Sequence, residues 1–264
     1  MACGFPAASL PSLPHAAVTQ LPHPSEPAFL DAALDHLLGD DTDRARLLVH
    51  DGAPASEHRV RLLRSAYGDT RLLPVGVRRP LTGLATTATV LAGLSDLDVP
   101  VGAVISAMPM VTAHAWIDAV SRSVTRVDLP EIGFKHTLVS MVPGAVVRLR
   151  FTDHVEVGAI PADRSAAIGP DAVIVQSGDR ALEPKLTAGA PSSPTHVPTI
   201  EVAGPPVLTT GWWGTRHHYE QCVVHIDLRG LASRITAVRW RRCPECGESV
   251  SSYCRFCSSQ EVYA

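Results

Sequence analysis

The sequence predicts an α/β (or α+β) N-terminal half with alternating helices and strands, a β-rich second half, and a small C-terminal module set apart by its cysteines. Three observations carry that prediction. Between residues 28 and 127, segments with helical spacing alternate with short apolar runs. After Pro130 the apolar residues recur at every second position. Four of the six cysteines fall in the last 22 residues. The chain of 264 residues suits one large domain or two small ones, at roughly 100–200 residues each. With 45% hydrophobic and 19% charged residues it can bury a core, which excludes wholesale disorder. A net charge of -3 argues against a protein that coats nucleic acid by bulk charge.

The elements follow in order. Residues 1–27 carry Pro6, Pro11, Pro14, Pro22, Pro24 and Pro27, which fix φ and remove donors, so this stretch reads as an extended arm. Its lack of a basic start argues against a secretory signal, since the first basic residue is Arg44. Phe29, Leu30, Ala33, Leu34, Leu37 and Leu38 share one helical face. Leu47–Val49 is a short buried strand that ends at His50-Asp51-Gly52. Ser56 can cap a helix over Glu57–Tyr67, with Val60, Leu63 and Tyr67 inward. Leu72–Val77 is an edge strand because Pro74 interrupts it. Leu81, Leu84, Ala88 and Leu91 give a third helix, and Val99–Ile105 a third strand. Ala113, Trp116, Ile117, Val120, Val124 and Val127 repeat at helical spacing and predict a long helix from Thr112. This is a domain over 28–130.

A β-rich domain over 131–240 follows. Val147, Leu149 and Phe151 alternate with Arg148, Arg150 and Thr152, the two-residue period of a half-exposed strand. Val155 and Val157 continue beyond a turn, and Ala172–Gln176 is a short apolar strand. Cys222, Val224, Ile226 and Leu228 alternate with Val223, His225, Asp227 and Arg229, and Ile235–Trp240 reads the same way. Residues 184–206 hold six prolines and read as a long exposed loop.

The tail, 241–264, carries the strongest motif. Cys243-Pro-Glu-Cys246-Gly and Cys254-Arg-Phe-Cys257 form C-x2-C-x7-C-x2-C. Each CxxC turn aims two thiolates at one point, and two such turns close a tetrahedron with Zn–S distances of about 2.3 Å. Gly247 permits a left-handed backbone after the first turn. The segment resembles the short zinc-ribbon modules found at the termini of many bacterial proteins, with Tyr253 and Phe256 matching their aromatic flank. The resemblance covers about residues 241–260. It implies a structural zinc held by Cys243, Cys246, Cys254 and Cys257, with no coordination position open for catalysis. Thiolate ligands fit a reducing compartment, so the expected location is the cytoplasm, and no apolar run is long enough to span a membrane.

Other clusters are weaker. Arg239, Trp240, Arg241, Arg242, Arg255 and Phe256 make the tail basic and aromatic, with six arginines against three glutamates from Arg229 onward. That suits contact with a partner or with nucleic acid. Asp51, Arg78 and Ser106 each follow a predicted strand, where ligands of doubly wound sheets bind, and could take phosphate or carboxylate in an enzyme. His217, His218, Cys222 and His225 are metal-capable, but strand alternation separates His225 from the pair His218 and Cys222. Gly211-Trp212-Trp213-Gly214 reads as an aromatic wall or as a cap on the β core. The function expected from the sequence is a zinc-stabilised, non-catalytic binding or assembly protein acting through protein–protein contacts, a subunit of a larger bacterial complex. The two alternatives are a nucleic-acid-binding accessory factor and the strand-end enzyme. Sequence alone leaves the identity of any small-molecule ligand open.

Overall fold

A computed structural model describes residues 28–38, 46–67, 72–113, 115–152, 154–158, 172–187, 199–201, 212–225, 227–244, 247 and 249–250. The proline-rich arm, Cys3 and most of the 184–206 loop lie outside these residues, as do Cys246, Cys254, Arg255, Phe256 and Cys257. The fold is mixed α/β around a central sheet, and it separates into two compact units, each discontinuous in sequence. The first takes residues up to Arg78, Thr87–Val111 and everything from Asp227 onward. The second takes Arg79–Thr86 and Thr112–Ile226. Residues 79–86 lie on the central sheet of the second unit, and the segment from Asp227 onward belongs to the first.

In the first unit, strands β1 (Arg46–His50) and β2 (Leu72–Gly76) pair in parallel, with Leu48 opposite Pro74. Helix α2 (Pro54–Tyr67) makes the crossover that parallel strands need. Pro74 is tolerated because its strand has one neighbour and its missing N–H breaks no second ladder. Helix α1 (Phe29–Leu38) presents Phe29 and Ala33 to Leu48, Val60, Leu63 and Leu72, which form one buried cluster. Burial of such side chains stabilises by about 1.5–3 kcal/mol each.

Helix α3 (Leu81–Asp96) is buried on almost every side, which explains its unbroken run of small and apolar residues. It ends at Asp98, whose φ of 54° gives the left-handed turn that usually falls to glycine. The run Val99–Ile105, expected as a strand, instead forms helix α4 (Val101–Ser106), followed by α5 (Met108–Ala113). A short apolar run fits a buried helix as well as a buried strand. Pro100 starts α4, with the Val104 N–H donating to its carbonyl at 3.0 Å. Helix α8 (Leu228–Ala237), numbered after the helices of the second unit, replaces the strand expected at Ile235–Trp240. Asp227 caps it by accepting the Gly230 N–H at 2.8 Å. Helix α4 packs against α8 and against strand β10 (Ser249–Val250), which pairs with β9 (Arg241–Arg242). A Cβ on Gly102 would lie 2.3 Å from the Ser249 carbonyl oxygen, so only glycine lets the hairpin approach α4.

The second unit is built on a six-stranded sheet in the order β5-β4-β3-β8-β6-β7. Its strands are β3 (Ala115–Ser121), β4 (Val147–Phe151), β5 (Val155–Val157), β6 (Ala172–Gly178), β7 (Thr199–Glu201) and β8 (His218–His225). All neighbours are antiparallel except β6 and β7. The long helix expected from Thr112 is therefore strand β3, flanked by β4 and β8. A central strand buries both faces, so Trp116, Ile117 and Val120 mimic helical spacing without being helical. One face carries Ile117, Ala119, Leu149, Phe151, Val175 and the even-numbered residues of β8. The other carries Asp118, Arg150, Val120, Gln176 and Tyr219. There the Tyr219 hydroxyl donates to Gln176 at 2.9 Å, and Leu182 packs on Val120 and Tyr219. Asp118 and Arg150 pair across β3 and β4 at 2.5 Å, with the guanidinium 5.5 Å above the Trp116 ring. Helix α6 (Phe134–Ser140) lies on the β3–β4 connection, and α7 (Glu183–Thr187) overlaps the start of the span 184–206 expected as a loop. Among the described residues no helix is long and apolar enough to cross a membrane.

Candidate functional site

The end of β1 in the first unit is the place where the sequence put a ligand. His50 closes the strand, and its Nδ1 accepts the Gly52 N–H at 3.2 Å. Burial holds its imidazole neutral by lowering its pKa to about 4. Gly52 turns left-handed with φ 70°. A Cβ there would meet Arg78 Cγ at 3.0 Å, so glycine lets the arginine stem lie along the turn. Asp51 folds its own Oδ1 back onto the Ala53 N–H at 3.1 Å, an Asx turn that leads into α2. Pro54 opens α2 where a missing N–H costs nothing. Ser56, in the first turn, is buried with its Oγ unpartnered.

Asp51 and Arg78 are thus brought to one turn at the N-terminus of a 14-residue helix. That end of a helix presents unpaired N–H groups and a partial positive charge, and Arg78 is exposed beside it. Ser106 is not part of this arrangement: it is the last residue of α4, on the helix that packs against β10 and α8. The strand end expected for it does not exist.

The second unit holds a buried polar cluster that the sequence did not reveal. Residues 79–86 lay the start of α3 on the sheet. Gly83 is needed there because a Cβ would come 2.5 Å from Ile117 Cδ1. The Thr82 N–H donates to Glu220 Oε1 at 3.0 Å, so a strand carboxyl caps the helix. Glu220 is fully buried, and desolvation pushes its pKa up to about 8, against the smaller pull of the Thr82 N–H and of the Trp213 indole. The indole N–H is near enough to Glu220 to favour its ionised form, without a direct hydrogen bond to it. Trp213 stacks on His218 with ring centroids 5.5 Å apart. His218 Nδ1 donates to the Thr215 carbonyl at 3.1 Å, and burial lowers its pKa, so the ring is neutral with a bare Nε2. Two residues along, the Thr86 hydroxyl reaches Cys222 Sγ at 3.5 Å, and burial raises that thiol to about 12. Arg79 is buried and donates to the Thr152 carbonyl at 2.5 Å. Polar residues on a strand normally read as its solvent face, so nothing in the alternation of β8 flagged Glu220.

The metal-capable residues part company. His217 pairs with Asp179 at 3.2 Å, while His218 and Cys222 are tied as above. Trp213 of the aromatic pair is core, and Trp212 is half-buried. In the tail, Cys243 is buried, and its carbonyl accepts the Gly247 N–H at 2.8 Å with Gly247 at φ 75°. These features close the β9–β10 hairpin. Arg241 and Arg242 form β9 and are exposed, as is Arg239, whereas the Trp240 indole donates to the Ile235 carbonyl at 2.9 Å at the end of α8. Cys246, Cys254, Cys257, Arg255 and Phe256 lie outside the described residues. Among the described residues no three His, Cys, Asp or Glu side chains gather as a metal site.

No protein-family model matches the sequence, and no curated protein matches it either. Solved structures do match in fold. A fatty-acid-binding DegV family protein from Thermus thermophilus superposes with a TM-score of 0.51 at 14% identity, covering 78% of this chain and 78% of that one. A DegV family protein from Corynebacterium glutamicum superposes with a TM-score of 0.49 at 13% identity, covering 75% of this chain and 81% of that one. The likeness spans most of the chain and corrects the reading taken from its tail. The chain is not identified by a zinc ribbon. The structural zinc, the zinc-stabilised assembly, the nucleic-acid partner and the strand-end enzyme have no support in this fold or in the described residues.

Proposed function

We propose that the protein binds a long-chain fatty acid. The observation that carries this reading is the fold shared with the fatty-acid-binding DegV family protein from Thermus thermophilus. The turn after β1 supplies a chemistry that suits a carboxylate headgroup. In this reading the anion sits at the N-terminus of α2, where free N–H groups and the helix dipole favour negative charge. Ser56 donates its buried, unpartnered hydroxyl, and Arg78 supplies the balancing charge. Asp51 takes no part in holding the acid, because its Oδ1 is committed to the Ala53 N–H. The ligand is held rather than transformed, and a cytoplasmic location fits the reading.

The test is calorimetric titration of the full-length protein with hexadecanoic acid and with its methyl ester. The acid should bind with one site per chain. The ester, which cannot accept charge-assisted hydrogen bonds, should bind more weakly by about 1.5–3 kcal/mol, roughly ten- to a hundredfold. Equal affinity for acid and ester, or no binding of either, overturns the reading.

A further inference from the structure

Among the described residues, seven buried side-chain polar atoms have no hydrogen-bond partner, and four belong to the cluster in the second unit: Thr82 Oγ1, Trp213 Nε1, His218 Nε2 and Glu220 Oε2. The four are linked. Thr82 bonds Glu220 through its backbone, the Trp213 indole N–H lies on the Glu220 side, and Trp213 stacks on His218. His218 and Glu220 are two residues apart on one strand and face the same side of the sheet. Buried polar groups in folded proteins are almost always paired, and each that is not carries a cost of about 1–3 kcal/mol. Four in one cluster suit a shared partner.

The chemistry of the four atoms selects that partner. The Trp213 N–H only donates. His218 Nε2 only accepts, because Nδ1 carries the ring proton toward Thr215. Thr82 can do either, and a protonated Glu220 Oε2 donates. A cation would face the indole N–H, and an anion would face the bare imidazole lone pair. Water meets both, accepting two hydrogen bonds and donating two. We propose that Thr82, Trp213, His218 and Glu220 form an internal hydration site that holds an ordered water between the first turn of α3 and strand β8. The water accepts from Trp213 and from the Glu220 acid and donates to His218 Nε2, so the carboxyl proton and the imidazole lone pair are joined through one solvent oxygen. Buried waters of this kind make about three hydrogen bonds to groups that otherwise have none.

The test is a crystal structure of the full chain at a resolution that places waters, paired with nitrogen NMR of His218 at neutral pH. The expected result is one density peak within about 3 Å of at least three of the four atoms. The expected Nε2 signal is that of an unprotonated, hydrogen-bonded imidazole nitrogen. In Trp213→Phe the peak should weaken or vanish while the His218 tautomer persists. The NMR measurement on the unaltered protein stands even where the variant fails to fold. An absent peak, a direct Glu220–His218 hydrogen bond, or a protonated Nε2 overturns the proposal.

Discussion

Glu220→Gln gives the sharpest stability test, because the perturbation keeps the shape and removes the charge. The buried carboxyl has a pKa of about 8 against an ordinary 4.5. The folded protein therefore holds that proton more tightly than the unfolded chain does. Its contribution to stability is complete below about pH 4.5 and is lost as pH rises toward 8. A gap of about 3.5 units, at roughly 1.4 kcal/mol each, makes the full loss about 5 kcal/mol, of which about 3 kcal/mol is already lost at pH 7. The neighbours Cys222 and His218 are neutral and do not reverse this, and desolvation outweighs the Thr82 N–H and the Trp213 indole. A glutamine still accepts the Thr82 N–H, and its amide replaces the acid O–H. Urea unfolding across pH should show the wild type losing stability between pH 6.5 and 8. Glu220→Gln should stay level there and exceed it at pH 7.5. His50 works in the opposite direction. Its pKa lies near 4 rather than 6.5, so its contribution is present above pH 6.5 and lost as pH falls through 4, in both proteins. A variant less stable than wild type at pH 7.5, or a wild type with no alkaline decline, refutes the reasoning.

The other predictions concern single contacts. Gly102→Ala forces a methyl into the Ser249 carbonyl at the α4–β10 contact, and thermal unfolding should show a loss of at least 1–3 kcal/mol; an unchanged midpoint would mean that the hairpin does not approach α4 so closely. Trp240→Phe removes the hydrogen bond to the Ile235 carbonyl and should cost about 1 kcal/mol by the same measurement, with no effect expected on ligand binding. Ser56→Ala removes a buried hydroxyl that has no protein partner, so stability without ligand should hold or rise, while calorimetry should show affinity for hexadecanoic acid falling several-fold. Shortening the acid by one methylene should weaken binding about fourfold, from about 0.8 kcal/mol per buried CH2; affinity independent of chain length would rule out an apolar seat for the tail.

Much of the fold was legible where one periodicity was in force. The face of α1, the strand pair β1 and β2 around α2, and the alternation in β4 each follow from a single buried side. Legibility failed where burial was two-sided. Strand β3, with Ile117 and Val120 buried on opposite faces, copies helical spacing, and α4 is a six-residue apolar run that fits either state. Helix α8 was illegible because Asp227, its cap, falls in register with the alternation that runs to Arg229. Of the three strand-end residues, Asp51 and Arg78 share the turn after β1 because β1 and β2 do form and pair, whereas Ser106 depended on a strand that is a helix in the structure. Glu220 was invisible: the alternation legible in the sequence begins at Cys222, and only the tertiary start of α3 buries the carboxyl two residues before it. The cysteine tail misled in the opposite sense. The Gly247 N–H bonds the Cys243 carbonyl beside the β9–β10 pair, and most of the chain instead shares its fold with a solved DegV family structure.

Binding of a free fatty acid tests the central claim most directly. Titration of the full-length protein with hexadecanoic acid should saturate at one ligand per chain, and Arg78→Ala should weaken it by about tenfold through loss of a charge-assisted contact. Absence of saturable binding to the wild-type protein, together with no fatty acid in an organic extract of the protein as purified, would contradict the account.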